Sequence, residues 1–211
     1  MSGFTTGVVP TDRLLLLPLA VAHAEEMSAV LADPALHTFI GGSPADPAGL
    51  RARYERLVAG SPDPAESWCN WVIQLRDDGP LAGFVQATVT APVGPPRHPA
   101  TAGARAVGHR HRDDTEPVGG GPVAEIAWVV GTPWQGRGIA TEAARGMTGW
   151  LGRRGVRTLV AHIHPDHRAS AAVATACGLA RTDVWHDGEV RWTGPAGAVR
   201  RGRRRPDGGP G

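Results

Sequence analysis

Alternating apolar and polar positions predict a β-hairpin in the N-terminal half of the chain. Trp68 to Leu75 and Leu81 to Thr90 are short, mostly apolar runs, and the turn sequence Asp77-Asp78-Gly79-Pro80 stands between them. Every second residue from Cys69 to Leu75 is apolar, so one face of the first strand is a mostly apolar row.

Ahead of this hairpin, the spacing of apolar residues predicts one strand and two helices. Arg13 to Leu17 contains consecutive leucines, which is typical of a strand covered on both faces. Ala20 to Leu31 and the segment from about Ala48 to Val58 carry apolar residues at helical spacing. The prolines and glycines between these helices indicate a connection. Residues 1–10 are predicted to be a flexible N-terminus.

The C-terminal half alternates strands with helices. Glu125 to Val130 is predicted to be a strand, and a helical pattern begins at Ile139. The strand–helix–strand order implies a parallel pair with a right-handed crossover. The later elements are a strand over Val156 to Ile163, a helix over Arg168 to Cys177, and a closing hairpin of Leu179 to Trp185 and Glu189 to Thr193.

Residues 11–194 are predicted to form a single domain. One segment without apolar periodicity interrupts this domain, and another follows it. Residues 91–122 are rich in Pro and Gly, and we interpret them as a flexible insertion in the hairpin that joins the third and fourth strands. The insertion contains residues of types that can bind a metal ion, namely His109, His111, Asp113 and Asp114. In so flexible a segment, a solvated loop is favoured over a metal site. Residues 195–211 are predicted to be a disordered Arg/Gly/Pro-rich tail with at most weak affinity for polyanions.

Composition narrows the class of protein. The chain has 211 residues, 41% of them hydrophobic, which is enough for one sizeable core. Its net charge of +2 does not indicate a nucleic-acid-binding surface. No stretch approaches the ~20 apolar residues of a membrane span. Cys69 and Cys177 have no metal-binding spacing and no disulfide framework is expected. We therefore expect a cytoplasmic protein, with no membrane partner and nucleic acid disfavoured.

The most specific chemical signal is the turn between the strand that ends at Val130 and the following helix. This turn consists of Gln135, Gly136, Arg137, Gly138, Ile139 and Ala140. A helix N-terminus attracts anions because its first backbone N–H groups are unpaired and carry a partial positive charge. The two glycines allow close approach to the backbone, and the arginine adds a permanent charge. Two glycines by themselves favour an ordinary tight turn, and the residues after them exclude a Walker loop.

The turn resembles the acyl-CoA-binding motif of the GNAT superfamily of N-acetyltransferases, Arg/Gln-x-x-Gly-x-Gly/Ala, here Gln135-x-x-Gly138-x-Ala140. His164-Pro-Asp-His-Arg-Ala-Ser170 and Cys177-Gly178-Leu179 are similar to segments of the branch that contains ribosomal-protein N-terminal (alanine/serine) acetyltransferases. The resemblance implies an α/β (α+β) fold. Its central mixed, mostly antiparallel sheet would be flanked by helices and splayed between the fourth and fifth strands.

The family resemblance also implies a donor and its binding residues. Acetyl-CoA would lay its pantetheine arm along Trp128, Val129 and Val130, and its pyrophosphate on the turn from Gln135 to Ala140. Glu125 is the expected general base, because several family members place a catalytic glutamate at the start of this strand. A charged residue at a strand end is the structural alternative. A backbone N–H at Val129 or Val130 is expected to stabilise the carbonyl oxygen.

The sequence departs from the family pattern near the last helix. Ala174 stands where many members carry a tyrosine acid. Ser170 matches a serine proposed for that role, although a helix cap or a cofactor contact is the favoured function. His167 replaces an asparagine and can still form one hydrogen bond to the cofactor. His162 and His164 share a strand face, but the loop around them matches the family, so no metal site is predicted.

We therefore predict an acetyl-CoA-dependent N-acetyltransferase that acts on the primary amine of a small molecule or a protein N-terminus. A non-catalytic acyl-CoA sensor is the alternative, because the tyrosine is missing. Phe39, Ile40 and Tyr54 are candidates for the acceptor wall, with plain helix packing at least as well favoured. The sequence names neither the acceptor nor the oligomeric state, and a homodimer is among the states it allows.

Overall fold

The computed structural model describes residues 4–91 and 121–197, which form an eight-stranded sheet with helices on both faces. The strands are β1 (Val9–Pro10), β2 (Leu14–Pro18), β3 (Glu66–Leu75), β4 (Leu81–Thr90), β5 (Val123–Val130), β6 (Thr158–Ile163), β7 (Ala180–His186) and β8 (Glu189–Pro195). The helices are α1 (Ala24–Val30), α2 (Pro34–Ile40), α3 (Pro47–Ala59), α4 (Ile139–Arg153) and α5 (Arg168–Ala176).

The sheet has the order β1-β2-β3-β4-β5-β6-β8-β7. Every neighbouring pair is antiparallel except β5 and β6, which are parallel and connected through α4. The predicted mixed, mostly antiparallel sheet is therefore confirmed. The fourth and fifth strands of the predicted fold are β5 and β6 here, because β1 adds a strand at the N-terminal edge.

The two faces of the sheet carry separate hydrophobic clusters. Cys69, Trp71 and Ile73 on β3 pack in the cluster that contains α4. Val72 lies on the opposite face, in the cluster formed with α1 and α3. The apolar row predicted for this strand therefore faces the larger cluster, and the sheet is buried from both sides.

The N-terminal residues from Phe4 onward are part of the fold, so the prediction of a flexible N-terminus over residues 1–10 is wrong for them. Val9 pairs with Leu16 in β2 and is buried. Trp71 Nε1 donates a hydrogen bond of 2.9 Å to Gly7 O. Composition did not reveal this order, because it depends on backbone bonds to distant residues.

Helix α2 lies in a segment that was predicted to be a connection. Asp33 is its N-cap, and its side chain accepts a 2.9 Å hydrogen bond from Ala35 N. Pro34 occupies the first helical position, where its missing N–H costs nothing. The proline that suggested a break is therefore a helix start signal.

The insertion leaves and re-enters the sheet at adjoining strand ends, because Thr90 pairs with Val123. Residues 92–120, with His109, His111, Asp113 and Asp114, lie outside the described residues, as do residues 198–211. The predicted tail boundary at residue 195 is too early, since Ala196 N donates to Arg157 O at 3.0 Å. Within residues 4–91 and 121–197, no helix has the length and apolar character required to cross a bilayer.

Candidate active site

β5 and β6 pair only at their N-terminal ends and then diverge. Their register runs from Val123 opposite Thr158 to Glu125 opposite Val160, and the rest of β5 has no partner on that side. The divergence opens a cleft with a volume of about 370 Å³. The splay predicted between these two strands is therefore confirmed.

The cleft brings together five of the predicted site residues. Glu125, Trp128 and Val129 come from β5, and His167 and Ser170 come from the start of α5. Residues of α2 and the glycines after it line the opposite wall. Three segments far apart in sequence thus meet around one space.

The backbone of β5 presents alternate residues to the open side. Gly131 N donates to Ala82 O at 2.9 Å, so Gly131 faces β4. Because the direction of the backbone groups alternates along an antiparallel strand, Val129 also faces β4, whereas Trp128 and Val130 face the gap. The Val129 N–H is therefore directed away from the gap, although Val129 lines the cleft, and the Val130 N–H is directed into the gap.

The glycine turn follows the end of β5 and is exposed from Gln135 to Gly138. Gly136 and Gly138 have φ values of 73° and 76°, which residues with a Cβ rarely adopt. Helix α4 starts at Ile139, and its backbone ladder begins with Glu142 N donating to Gly138 O at 3.0 Å. Gln135 N is already bonded to Thr132 O at 3.2 Å, whereas the amides from Gly136 to Thr141 lie outside the helical ladder and are available to an anion.

The side chains of the glycine turn differ in their contacts and their exposure. Gln135 Nε2 donates to Val130 O at 2.9 Å, so it connects the turn to the end of β5. Arg137 is exposed, whereas Ile139 is buried in the core and Ala140 is half-buried. Ile139 and Ala140 can therefore offer a ligand their backbone amides, and Arg137 can also offer its charge.

The connection between β1 and β2 holds the glycine turn in place through Glu142. Arg13 N and Arg13 Nε bond to the Glu142 carboxylate at 2.7 and 2.6 Å, and Thr11 Oγ1 bonds to it at 2.6 Å. Arg13 Nη1 also donates to Arg137 O at 3.1 Å. Although burial opposes it, these bonds together hold the pKa of Glu142 below its ordinary value. The glycine turn is therefore anchored to residues about 130 positions earlier in the chain.

Glu125 has a partner that the sequence did not reveal. His162 Nδ1 lies 3.2 Å from Glu125 Oε1 across the point where β5 and β6 separate. This hydrogen bond lowers the pKa of Glu125 and raises the pKa of His162. The sequence indicated His162 only as a candidate metal ligand. Its contact with Glu125 arises because His162 lies two residues beyond Val160, the residue that pairs with Glu125.

His167 and Ser170 form the side of the cleft at α5. His167 is the N-cap residue of α5, and its ring stacks on Phe39 with centroids 4.2 Å apart and planes at 5°. Burial lowers the pKa of His167, which favours the neutral imidazole. Ser170 lies in the first turn beyond the cap and makes no hydrogen bond through its hydroxyl to the described residues. Its expected role as the helix cap is therefore wrong, and the hydroxyl is open to the cleft.

The described residues contain no group of three or more His, Cys, Asp or Glu side chains placed to hold a metal ion. Cys69 and Cys177 are free and buried, and burial raises the pKa of each thiol to about 11. Neither thiol is therefore suited to act as a nucleophile at neutral pH. The chemistry of the cleft rests on its carboxylate, imidazole, hydroxyl and backbone groups.

The fold is shared with solved acetyltransferases. A GNAT acetyltransferase from Bacillus anthracis has a TM-score of 0.63 at 14% identity, with 90% of this chain and 99% of that chain covered. An acetyltransferase from Agrobacterium tumefaciens has a TM-score of 0.59 at 23% identity, with 92% and 96% covered. The ribosomal alpha-N-protein acetyltransferase RimL, in complex with coenzyme A, has a TM-score of 0.62 at 15% identity, with 91% and 99% covered.

At these identities the likeness concerns the fold. A search by sequence among curated proteins finds no match. A sequence model of the acetyltransferase (GNAT) domain matches residues 13–180, which is well over half of the 211-residue chain. This match includes β2, both strands that diverge and the glycine turn between them, and by it the chain belongs to the acetyltransferase (GNAT) domain family.

Proposed function

We propose that this GNAT acetyltransferase moves the acetyl group of acetyl-CoA to a primary amine by direct attack in a ternary complex. The observation that carries the proposal is the cleft between β5 and β6, which has the Glu125–His162 pair at its closed end and the glycine turn after the end of β5. The glycine turn offers unpaired backbone amides to an anion, and the Glu125–His162 pair offers a group that can accept a proton.

The donor fits the open edge of β5. Trp128 and Val130 present backbone groups that suit the amides of an extended pantetheine arm, which would add to the sheet like a strand. The amides from Gly136 onward suit its diphosphate, because a helix N-terminus favours negative charge. His167 and Ser170 offer a ring nitrogen and a hydroxyl to the same arm from the other side.

The acceptor must lose a proton before it attacks, because an alkyl ammonium has a pKa near ~10. When His162 Nδ1–H donates to Glu125, Nε2 of the same neutral imidazole is left as an acceptor. The imidazole takes the amine proton, and Glu125 orients it and stabilises the resulting charge. Glu125, expected as the base itself, would then act through His162.

The bond changes follow from this arrangement. The neutral amine nitrogen bonds to the thioester carbon, the carbon–sulfur bond breaks, and the sulfur departs as a thiolate. The second proton of the nitrogen is lost as the amide forms, and the departing thiolate takes it up to give the free thiol. The Val130 N–H faces the gap, where it can stabilise the negative charge on the carbonyl oxygen. A thiol with a pKa near ~8.5 leaves without a strong acid, so the hydroxyl of Ser170 is sufficient to donate a hydrogen bond to it.

Thermal unfolding and thiol release test the proposal together. Millimolar acetyl-CoA should raise the melting temperature, and a panel of amines should release free thiol from it. Glu125→Gln and His162→Gln should lower turnover by at least ~10-fold and keep the thermal shift, since neither residue is placed on the diphosphate turn. Absence of any shift for the wild-type protein would contradict the proposal.

A non-catalytic acyl-CoA sensor is the second candidate. Its support is Ala174, which is fully buried on α5 and stands where many family members carry a tyrosine acid. A sensor would show the same thermal shift, no thiol release with any amine, and no effect of Glu125→Gln on either quantity.

The acceptor is proposed to be a small-molecule amine or a protein N-terminus, following the branch that the motifs resemble. The cytoplasm is the expected compartment, because both cysteines are free thiols. A homodimer remains the expected alternative to a monomer, and sedimentation velocity on the full chain distinguishes the two.

A further inference from the structure

A small pocket adjoins the acceptor side of the cleft. It has a volume of about 20 Å³ and lies between α3 and the strands β3 and β4. It shares Arg53, Phe84 and Gln86 with the lining of the larger cleft, so the two spaces are neighbours. Four polar side chains line it, namely Arg53, Tyr54, Asn70 and Gln86.

The hydroxyl of Tyr54 is the feature of this pocket that needs an explanation. Tyr54 is only 4% exposed, and its hydroxyl has no hydrogen-bond partner among the described residues. Buried tyrosine hydroxyls usually have a partner, because an unpaired polar group away from water is destabilising. Burial also raises the pKa of Tyr54 to about 12, so the group is a neutral donor at physiological pH. A ligand that accepts a hydrogen bond would satisfy it.

The other three side chains add donors to the same space. Asn70 and Gln86 are directly opposite in the β3–β4 register, so they lie on one face of the sheet. Neither amide group, nor the Arg53 guanidinium, makes a side-chain hydrogen bond or an ion pair within the described part of the chain. The four groups therefore offer N–H or O–H donors and one positive charge, and an ionised carboxylate, which accepts hydrogen bonds and is negatively charged, complements both. The volume suits such a small group, since a water molecule requires ~10–15 Å³ by a comparable measure.

The pocket has a defined position relative to the proposed proton acceptor. Thr88 on β4 pairs with Glu125, so Gln86 is diagonal to Glu125 on the same face. Such diagonal neighbours are ~7–8 Å apart. An amine at the Glu125–His162 pair would thus reach the pocket with a group several bonds from its nitrogen.

We propose that Arg53, Tyr54, Asn70 and Gln86 form a carboxylate subsite, so that the preferred acceptor carries both a primary amine and a carboxylate several bonds away. This proposal rests on the proposed acetyltransferase function and specifies its substrate class. A free amino acid of this length and a peptide N-terminus followed by an acidic residue share the chemistry, and the experiment separates them.

The test compares acceptors that differ only in charge at this position. 6-Aminohexanoate is compared with its amide, and the peptide Ala-Glu-Ala-amide with Ala-Gln-Ala-amide, by thiol release from acetyl-CoA. The carboxylate member of at least one pair should have a kcat/KM at least ~10-fold higher, which is the order of one hydrogen bond to a charged group. The pair that shows the preference identifies the free or the peptide source.

Variants assign the preference to the pocket. Tyr54→Phe removes only the hydroxyl, and Arg53→Met removes the guanidinium with its charge and its N–H donors. Each should reduce the preference about 10-fold, and for the carboxylate acceptor the loss should appear in KM and not in kcat. Gln86→Glu is isosteric and places a negative charge in the pocket, so it should abolish or invert the preference. Arg51→Met is the matched control, since Arg51 is an exposed arginine on α3 outside this pocket.

Two outcomes would overturn the subsite: equal kcat/KM values within both acceptor pairs, or a preference that Tyr54→Phe and Arg53→Met leave unchanged. In either case, turnover itself would still support the acetyltransferase function. If no amine is acetylated, calorimetry of glutarate against glutaramide on the acetyl-CoA-treated protein decides the subsite alone. Glutarate binding that Tyr54→Phe weakens supports it, and equal or absent binding of both compounds refutes it.

Discussion

The side chains of Glu125 and His162 meet where β5 and β6 separate, with Glu125 Oε1 3.2 Å from His162 Nδ1. Glu125 and Val160 form the last pair of the two strands, and His162 lies two residues farther along β6. The bond raises the pKa of His162 above its ordinary value of 6.5 and lowers that of Glu125 below 4.5. An imidazole with a raised pKa is a better proton acceptor near neutral pH than a carboxylate with a lowered one.

The pH dependence of turnover should report this pair. Protonated His162 cannot take the amine proton, so kcat/KM should fall as pH decreases through a pKa above 6.5. Glu125→Gln removes the group that raises this pKa, so the acid limb should move to lower pH in addition to the loss of rate. The profile of kcat/KM for one amine over both proteins checks this, and an acid limb at the same pH in both would contradict it.

Gly138→Asp should abolish the stabilisation by acetyl-CoA. Gly138 precedes the first helical residue with a φ of 76°, and an added carboxylate would occupy and repel the diphosphate site. Affinity should fall at least ~10-fold, measured by calorimetry. Gly155→Asp is the matched control, because Gly155 also has a positive φ of 90° but follows the far end of α4. Equal affinity loss in both variants would indicate strain and not charge.

Glu142→Gln should loosen the attachment of the glycine turn to the connection between β1 and β2. The carboxylate accepts bonds from Thr11 and Arg13, and Gln keeps only one of its two acceptor oxygens and none of its charge. The loss of the charge and of the acceptor for Arg13 Nε should lower the free energy of unfolding by about 1–2 kcal/mol at pH 7. Its folded-state pKa lies below 4.5, so this stabilisation is present above that value and is lost as pH falls through the folded pKa.

Urea unfolding at pH 7 and near pH ~3 tests this pH dependence. The difference in the free energy of unfolding between wild type and Glu142→Gln should be smaller at the lower pH. Glu25→Gln is the control, since Glu25 is an exposed acid in the first turn of α1. A difference that stays constant with pH would show that the carboxylate charge is not involved.

Gly83→Ala should displace β5 and with it the donor site. A Cβ at Gly83 would overlap Val129 O, and the backbone cannot move without shifting the strand. We expect a loss of about 2–4 kcal/mol in the free energy of unfolding and weaker acetyl-CoA binding. Gly7→Ala, where the added methyl meets no atom within 4 Å, should leave both quantities unchanged. A Gly83→Ala protein as stable as Gly7→Ala would refute the close approach.

Some site residues could be predicted because their role is local. Gly136 and Gly138 mark a turn that only glycine adopts easily, and the helix after them follows from the spacing of its apolar residues. Which of the Val129 and Val130 N–H groups is directed into the gap could not be predicted, because it depends on the register between β4 and β5.

Other features required contacts that no local pattern encodes. Asp33 and Pro34 start α2, yet the surrounding prolines and glycines suggested only a connection. Tyr54 was a candidate wall residue, but its position beside Asn70 and Gln86 depends on how α3 packs on the sheet. These residues meet because α3 and the sheet bury their apolar faces against each other. Hydrophobic burial does not specify which polar side chains lie next to one another as a result.

The sequence alone determined most of the elements, the glycine turn and the resemblance to the acetyltransferase family, because backbone preference and apolar periodicity act over a few residues. Only the tertiary structure decided that β5 and β6 diverge after Glu125, that His162 is its partner, and that four donors surround one small pocket. These contacts arise from strand register and helix packing between residues that are tens of positions apart. A local sequence is compatible with several tertiary arrangements, and the packing of the core selects one of them.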